Sequence, residues 1–235
     1  MDETIERYIT YQSLKRGITA AMVTGSYVTG TMGPRSDIDL FFIWGKEFES
    51  MRGREYFEGV EFEYFISPEW KYYDRLRTDL VSVRIYSSAK ILLDPGNKLQ
   101  KIREVALKKM RDYAPTLNED SRRSYQFWLE TICSDGEDLF ESQDYASFLF
   151  FTGVNLPKMN DLICLLHSEL PTYEKYGVKE IQQIDATYGA LLERFLTSEY
   201  TSGERRRLWV ELCVQLTTLL GPYDLTDYES HQRLI

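Results

Sequence analysis

The sequence of 235 residues is short of cysteine and histidine, and this shortage excludes several kinds of site. Its three cysteines, Cys133, Cys164 and Cys213, are far apart and form no C-x-x-C pair. They lie in apolar stretches, so we expect buried, reduced thiols. With only two histidines in the chain, no zinc-binding set is expected. Nothing in the cysteine pattern indicates an oxidising compartment.

The sequence also lacks long apolar runs. Its uninterrupted apolar stretches are far too short to cross a bilayer. The first residues, Met-Asp-Glu-Thr-Ile-Glu, are acidic and do not have the basic and apolar regions of a signal peptide. We therefore expect a cytoplasmic protein without a membrane partner.

Positive charge is in deficit as well. The formal net charge is −9, although apolar (43%) and charged (28%) residues are in the balance of an ordinary globular protein. This acidity argues against nucleic acid as a partner, since phosphate backbones are bound by Lys and Arg patches. It suits a cleft that binds metal cations or a cationic small molecule.

Hydrophobic periodicity predicts an α+β protein with two domains. Residues 1–114 alternate helices and strands, whereas residues 115–235 show almost no strand signal. For the first domain we predict four strands, at 18–24, 38–44, 60–66 and 89–93, and a loop at 25–36. Helices are predicted at 3–16, at 98–112 and from Ser67 and Pro68 onward. The strand at 38–44 is strongly apolar and is predicted to be central. For the second domain we predict helices at 118–133, 137–151, 155–169, 178–197 and 203–220, with breaks at Pro157, Pro171, Gly177 and Gly203.

The first chemical motif is Gly25-Ser26, which directly follows the strand at 18–24. Glycine lets the backbone approach a ligand closely and turn its amide N–H groups outward. These amides and the Ser26 hydroxyl suit a phosphate group. We therefore predict a phosphate-binding turn here. Arg35, further along the same loop, is a weaker candidate for a phosphate contact.

The second motif is the acidic pair Asp37 and Asp39 at the start of the strand at 38–44. The period of two in a strand places both carboxylates on one face, about 6–7 Å apart. Such a pair can bind Mg²⁺, which prefers oxygen ligands and is commonly held by carboxylates and substrate phosphates. Two ions about 3.5–4 Å apart stabilise in-line attack at phosphorus.

A third carboxylate is expected from the strand at 60–66. Glu61 and Glu63 share one face of that strand. We favour Glu63 as the metal ligand, with Glu61 as the alternative ligand or as the general base. Weaker candidates for the base are acids of the helical domain, namely Glu130, Asp135, Glu137 and Asp138. The aromatic cluster Phe148 to Phe151 and Trp209 are predicted to be core residues.

Together these motifs resemble the signature of the nucleotidyltransferase superfamily, whose fold is that of DNA polymerase beta. In this sequence the signature is Gly25-Ser26, a spacer of ten residues, and then Asp37-Ile38-Asp39-Leu40. The local sequence is similar to the bacterial branch that modifies aminoglycoside and lincosamide antibiotics. The resemblance is specific over residues 18–44, moderate over 60–96 and only architectural beyond 115.

The resemblance implies a mixed β-sheet with flanking helices, followed by a helical domain that binds the acceptor and closes the cleft. It implies transfer of a nucleoside monophosphate, usually AMP from ATP, to a hydroxyl of a small molecule, with release of pyrophosphate. Gly25 and Ser26 would bind the triphosphate, and Asp37 and Asp39 would hold Mg²⁺. An antibiotic-resistance role follows for an antibiotic acceptor. Alternatives are a protein or tRNA acceptor, or a non-catalytic nucleotide-binding module; the protein is expected to be a monomer or homodimer.

Overall fold

The computed structural model describes residues 1–225 and 228–229, and it divides the chain into two compact units. The first unit comprises Met1–Asp112 and the second begins at Tyr113. The elements of the first unit are, in chain order, α1 (Asp2–Arg16), β1 (Ile18–Thr24), α2 (Gly25–Thr29), β2 (Ile38–Trp44), β3 (Met51–Phe57), β4 (Val60–Ser67), α3 (Glu69–Thr78), α4 (Leu80–Ser88), β5 (Lys90–Leu93) and α5 (Lys98–Arg111).

The five strands form one mixed sheet in the order β3-β4-β2-β1-β5. The β2–β4 pair is parallel, whereas the other three pairs are antiparallel. Strand β2 lies in the middle of the sheet, and six of its seven residues are buried. The prediction of an α+β fold with an apolar central strand at 38–44 is therefore confirmed.

Each face of the sheet is covered by different helices. On one face, Ile5 and Tyr8 of α1 pack against Leu40 and Phe62 of the central strands. On the other face, the Phe41 ring stacks on Phe65, and the Tyr72 and Tyr86 rings of α3 and α4 meet Phe41 edge-on. Odd-numbered residues of β2 and β4 belong to this second face, on which the acidic side chains also lie.

Three predictions for the first unit were wrong in detail. The predicted loop at 25–36 begins with the short helix α2. Helix α3 begins at Glu69, with Pro68 in the capping position and no side-chain cap from Ser67. Strand β3 and helix α4 were not predicted, so 89–93 contributes the fifth strand. Charged residues alternate along the edge strand β3, whereas α4 is rich in β-branched residues and is held by packing and by the Asp79 cap.

The second unit, in the described part of the chain, consists of helices around a separate core. They are α6 (Glu119–Glu141), α7 (Tyr145–Leu166), a 3₁₀ turn at Glu174–Tyr176, α8 (Gly177–Ile184), α9 (Ala186–Thr197) and α10 (Gly203–Leu220). The core includes the fully buried Phe148 and Trp209, as predicted, whereas Phe150 is 76% exposed. The predicted breaks inside α6 and α7 are wrong, because both helices continue through Gly136 and Pro157.

The three cysteines of the second unit are unoxidised, as expected. Cys164 and Cys213 are buried, and Cys133 is half-buried. A hydrogen bond from the Cys213 thiol lowers the pKa of Cys133, and the same contact, with burial, raises the pKa of Cys213. Within the described residues, these thiols form no group of metal ligands with His, Asp or Glu.

Candidate active site

Three carboxylates converge on one face of the sheet. Asp37 directly precedes β2, Asp39 is its second residue, and Glu63 lies opposite Asp39 in the parallel register of β2 and β4. One carboxylate oxygen from each residue lies within 4.8 Å of the other two, and all three side chains are half-buried. The two aspartates and the favoured glutamate of the sequence prediction are therefore neighbours in space.

Gly25 brings the backbone against this cluster. Strand β1 pairs with β2 so that Thr24 faces Asp39, and Gly25 follows at φ = +69°. A Cβ atom at Gly25 would lie 2.3 Å from Oδ2 of Asp39. Any side chain at this position would therefore push against the carboxylate, and the left-handed backbone angle independently favours glycine.

Ser26 directly follows Gly25 in the short helix α2, and a side-chain hydrogen bond connects this helix to α1. The Tyr27 hydroxyl donates a hydrogen bond to the Asp2 carboxylate of α1. This bond raises the pKa of Tyr27 to about 12, and it lowers the pKa of Asp2 together with the charge of Lys90. The Ser26 carbonyl accepts the Thr31 N–H at 3.0 Å. Ser26 is thus held next to Gly25 at the end of β1, where its side chain is half-buried.

Glu63 is bonded to an arginine of the edge strand. The Arg52 guanidinium approaches Oε1 of Glu63 through Nη2 at 2.6 Å and through Nε at 2.7 Å. It also lies over the Phe65 ring, 5.0 Å from the ring centre. The Arg52 side chain is 69% exposed, compared with 20% for Glu63. Both bonds are made to one oxygen of Glu63.

Glu61 lies outside the three-carboxylate cluster. Its Oε1 is 2.7 Å from Nε of Arg54, and its Oε2 accepts a hydrogen bond of 2.8 Å from the Tyr56 hydroxyl. Both of its oxygens are therefore engaged by β3, whereas only Oε1 of Glu63 takes part in the Arg52 bonds.

The remaining candidates are dispersed. Arg35 is exposed in a turn closed by the Ser36 N–H, which donates to the Gly33 carbonyl at 3.0 Å. The four acids Glu130, Asp135, Glu137 and Asp138 belong to α6 of the second unit. Glu137 is bonded there to Arg206 at 2.8 Å.

Sequence reasoning missed Arg52, Arg54 and Tyr56. The sequence signal that could have found them is the Glu58-Gly59 dipeptide. In the structure these two residues have positive φ angles of 50° and 79° and join β3 to β4 as a hairpin. A Glu-Gly turn between two segments of alternating polarity is compatible with such a hairpin. Pairing residues 51–57 with 60–66 would have placed the two arginines beside the two glutamates.

Among the described residues, no helix is long and apolar enough to cross a bilayer, which agrees with the expectation from the sequence. The cytoplasmic location stays a prediction.

Comparison with known proteins identifies the first unit. Residues 7–113 match the model of the nucleotidyltransferase domain family. No protein of curated function matches the sequence. Among solved structures, a nucleotidyltransferase-like protein from Exiguobacterium sibiricum is similar at 15% identity and a TM-score of 0.48, with 90% of this chain and 73% of that chain covered. The domain implies a nucleoside triphosphate substrate and a divalent metal in general terms. Residues 7–113 thus form a nucleotidyltransferase domain.

Proposed function

We propose that this protein transfers a nucleoside monophosphate, AMP from ATP in the favoured case, to a hydroxyl group of a small molecule and releases pyrophosphate. The observation that carries the proposal is the convergence of oxygens from Asp37, Asp39 and Glu63 within 4.8 Å, in a domain of the nucleotidyltransferase family. Three carboxylates this close repel one another unless cations lie between or beside them.

The three carboxylates fit Mg²⁺, and the proposed reaction uses two such ions. All three groups supply carboxylate oxygen, the ligand that Mg²⁺ prefers. Gly25 adds a second sign of fit, because its lack of a side chain lets the backbone lie directly against Oδ2 of Asp39. When bound, Mg²⁺ would neutralise part of the triphosphate charge and stabilise in-line attack at phosphorus.

The residues around the cluster have separate proposed roles. Asp37, Asp39 and Glu63 hold the cations, and the Gly25 and Ser26 amides with the Ser26 hydroxyl bind the triphosphate. Arg35, at the tip of its exposed turn, is available to a phosphate oxygen. Catalysis then depends on positioning and on fixed charges rather than on covalent chemistry by the protein.

Glu63 is a better third ligand than Glu61. To bind a cation, Glu61 would have to give up Arg54 or the Tyr56 hydroxyl, since each occupies one of its oxygens. Glu63 has both Arg52 bonds on Oε1 alone. The same contacts count against Glu61 as the general base, because a base must accept a proton on an accessible oxygen.

The proposed acceptor is a small molecule. The sequence similarity to bacterial antibiotic-modifying enzymes supports aminoglycosides and lincosamides as the first acceptors to test. The net charge of −9 counts against tRNA. We assign acceptor binding and closure of the cleft to the helical unit, which begins at Tyr113.

The proposal is tested by following pyrophosphate release. The protein is incubated with Mg²⁺ and ATP, alone and with aminoglycosides, lincosamides, tRNA or a protein extract, and an Asp39→Asn variant serves as the control. We expect release with a small-molecule acceptor and no release by the variant. If only tRNA or protein is modified, the acceptor class is wrong. If the wild-type protein does not bind the metal nucleotide, the proposed transfer reaction is wrong altogether.

A further inference from the structure

Glu63 is paired with Arg52 and is also the proposed third ligand of a divalent metal. The guanidinium donates a hydrogen bond from Nε to Oε1 of Glu63, and its Nη2 lies 2.6 Å from the same oxygen. Asp39, another carboxylate of the cluster, lies directly across from Glu63 in the sheet. Arg52 also adds a fixed positive charge to the edge of the three-carboxylate cluster. A cation entering the cluster must therefore either share Glu63 with Arg52 or displace it.

Displacement is sterically easy. The Arg52 side chain is 69% exposed and belongs to the edge strand β3, so its head can move into solvent without opening a void in the core. An exposed ion pair contributes little to stability, because water solvates both charges when the pair opens. The cation–π contact with the Phe65 ring beneath the guanidinium opposes this movement by only about 0.5–1 kcal/mol at an exposed site.

Electrostatics decides the direction of the effect. A guanidinium beside a divalent cation repels it, and at the separation of neighbouring ligands this repulsion changes a dissociation constant by about tenfold. Fixing the orientation of Glu63 favours metal binding instead, but the Glu63 side chain is only 20% exposed and is already restricted by packing, so Arg52 supplies only part of the full ordering free energy. The repulsion should therefore outweigh the benefit of orientation.

We propose that Arg52 is the resident counter-cation of Glu63 and competes with the catalytic metal for that carboxylate. This inference rests on the metal site of the proposed function and deepens it. In the metal-free protein Arg52 offsets part of the negative charge of the cluster. The charge of Arg52 opposes loading with metal, whether the cation shares Glu63 or displaces the guanidinium, so Arg52 is a positioning residue that sets the metal affinity.

The structure supplies a matched control in the next arginine of the same strand. Arg54 lies on the same face of β3, is 65% exposed and makes an ion pair of 2.7 Å, but its partner is Glu61, outside the cluster. Removing Arg54 therefore removes the same charge and the same kind of surface ion pair without releasing a carboxylate of the cluster.

The test is a titration of the full-length protein with Mn²⁺, followed by the loss of the free-ion electron paramagnetic resonance signal. We expect Arg52→Gln to bind Mn²⁺ about tenfold more tightly than wild type. Arg54→Gln should remain within about threefold. Arg52→Lys keeps the charge and should stay close to wild type. Circular dichroism verifies that each variant is folded.

A double-mutant cycle shows whether Arg52 acts through Glu63. In a Glu63→Gln background, the effect of Arg52→Gln on Mn²⁺ affinity should be much smaller. Unchanged or weaker binding by Arg52→Gln, with Mn²⁺ binding by the wild type intact, overturns the inference and leaves the proposed function standing. If neither the wild type nor the Arg52 variant binds Mn²⁺, both are overturned.

Discussion

At the scale of single residues, Gly25 is the position where one methyl group should have the largest effect on the acidic cluster. We predict that Gly25→Ala lowers nucleotidyl transfer by about a hundredfold, because the new Cβ, 2.3 Å from Oδ2 of Asp39, must displace that carboxylate. The measurements are Mn²⁺ affinity and the rate of pyrophosphate release.

Gly30 offers a control for this variant. It has the same left-handed backbone, with φ = +70°, but nothing lies within 4 Å of its would-be Cβ. Gly30→Ala should therefore share the backbone strain of about 1–2 kcal/mol while Mn²⁺ binding is retained. Equal losses of metal binding in the two variants would show that strain, rather than contact with Asp39, is responsible.

The two glutamates of β4 provide a second prediction. Glu63→Gln should weaken Mn²⁺ binding by at least about tenfold, because it removes a charged ligand from the cluster. Glu61→Gln should change it by less than about threefold, since Glu61 is engaged by Arg54 and Tyr56. The comparison of the two dissociation constants would count against our assignment if Glu61→Gln had the larger effect.

At the scale of secondary-structure elements, α1 is connected to β3 through one carboxylate. Glu55 accepts hydrogen bonds from Tyr8, Tyr11 and Gln12, at 3.2, 3.1 and 2.7 Å, and pairs with Lys15 at 2.9 Å. All four donors belong to α1. This connection holds the helix over the same sheet whose opposite face carries the acidic cluster.

The connection makes the first unit sensitive to acid. Burial alone would raise the pKa of Glu55, but the bonds from Lys15 and Tyr11 outweigh it, so the pKa is lowered from its ordinary value of 4.5. A carboxylate with a lowered pKa in the folded state adds stability above its unfolded-state value and loses that contribution as the pH falls below it. The stability contributed by Glu55 should therefore be lost progressively as the pH falls below 4.5.

We predict that Glu55→Gln lowers the free energy of unfolding by about 1–3 kcal/mol near neutral pH, because donors on α1 lose a charged acceptor. Urea unfolding of the wild type and the variant gives this difference directly. As the pH falls through the lowered pKa and the wild-type carboxylate becomes protonated, the two curves should approach each other. A difference that is independent of pH would show that the charge of Glu55 contributes nothing.

At the scale of the whole molecule, the two units have separate hydrophobic cores. In the second unit, Gly136 of α6 lies against the buried Trp209 ring, and a Cβ at Gly136 would be 2.3 Å from its Nε1. Trp209 also donates a hydrogen bond of 3.2 Å to the Ile132 carbonyl, so the ring has little freedom to move. Glycine is required here for close helix packing.

We predict that Gly136→Ala destabilises the second unit but leaves metal binding by the first unit intact. Alanine gains about 1 kcal/mol in helix propensity, whereas overpacking against a rigid ring costs about 1–3 kcal/mol, so the net loss should reach up to about 2 kcal/mol. Thermal unfolding measures the loss, and Mn²⁺ titration should give the wild-type dissociation constant within about twofold. A large fall in metal affinity would show that the two cores are coupled.

Much of this protein was determined by local sequence. The strongly apolar segment at 38–44 predicts a central strand because all its side chains except that of Asp39 favour burial. The spacing of Asp37 and Asp39 places two carboxylates on one face of that strand. The end of β1 at Gly25, where φ is +69°, follows from the conformational freedom of glycine. These features depend on residues close together in the chain, so their periodicity is visible in the sequence.

Tertiary structure decided what depends on residues far apart in the chain. Glu61 and Glu63 are equivalent by period, and only the pairing of β4 with β3 engages Glu61 with Arg54 and Tyr56 and sets Arg52 beside Glu63. Likewise, α7 continues through Pro157 because buried residues on both sides hold it against the core, which overrides the local cost of proline. Packing and strand register are properties of the folded chain, and local propensity does not contain them.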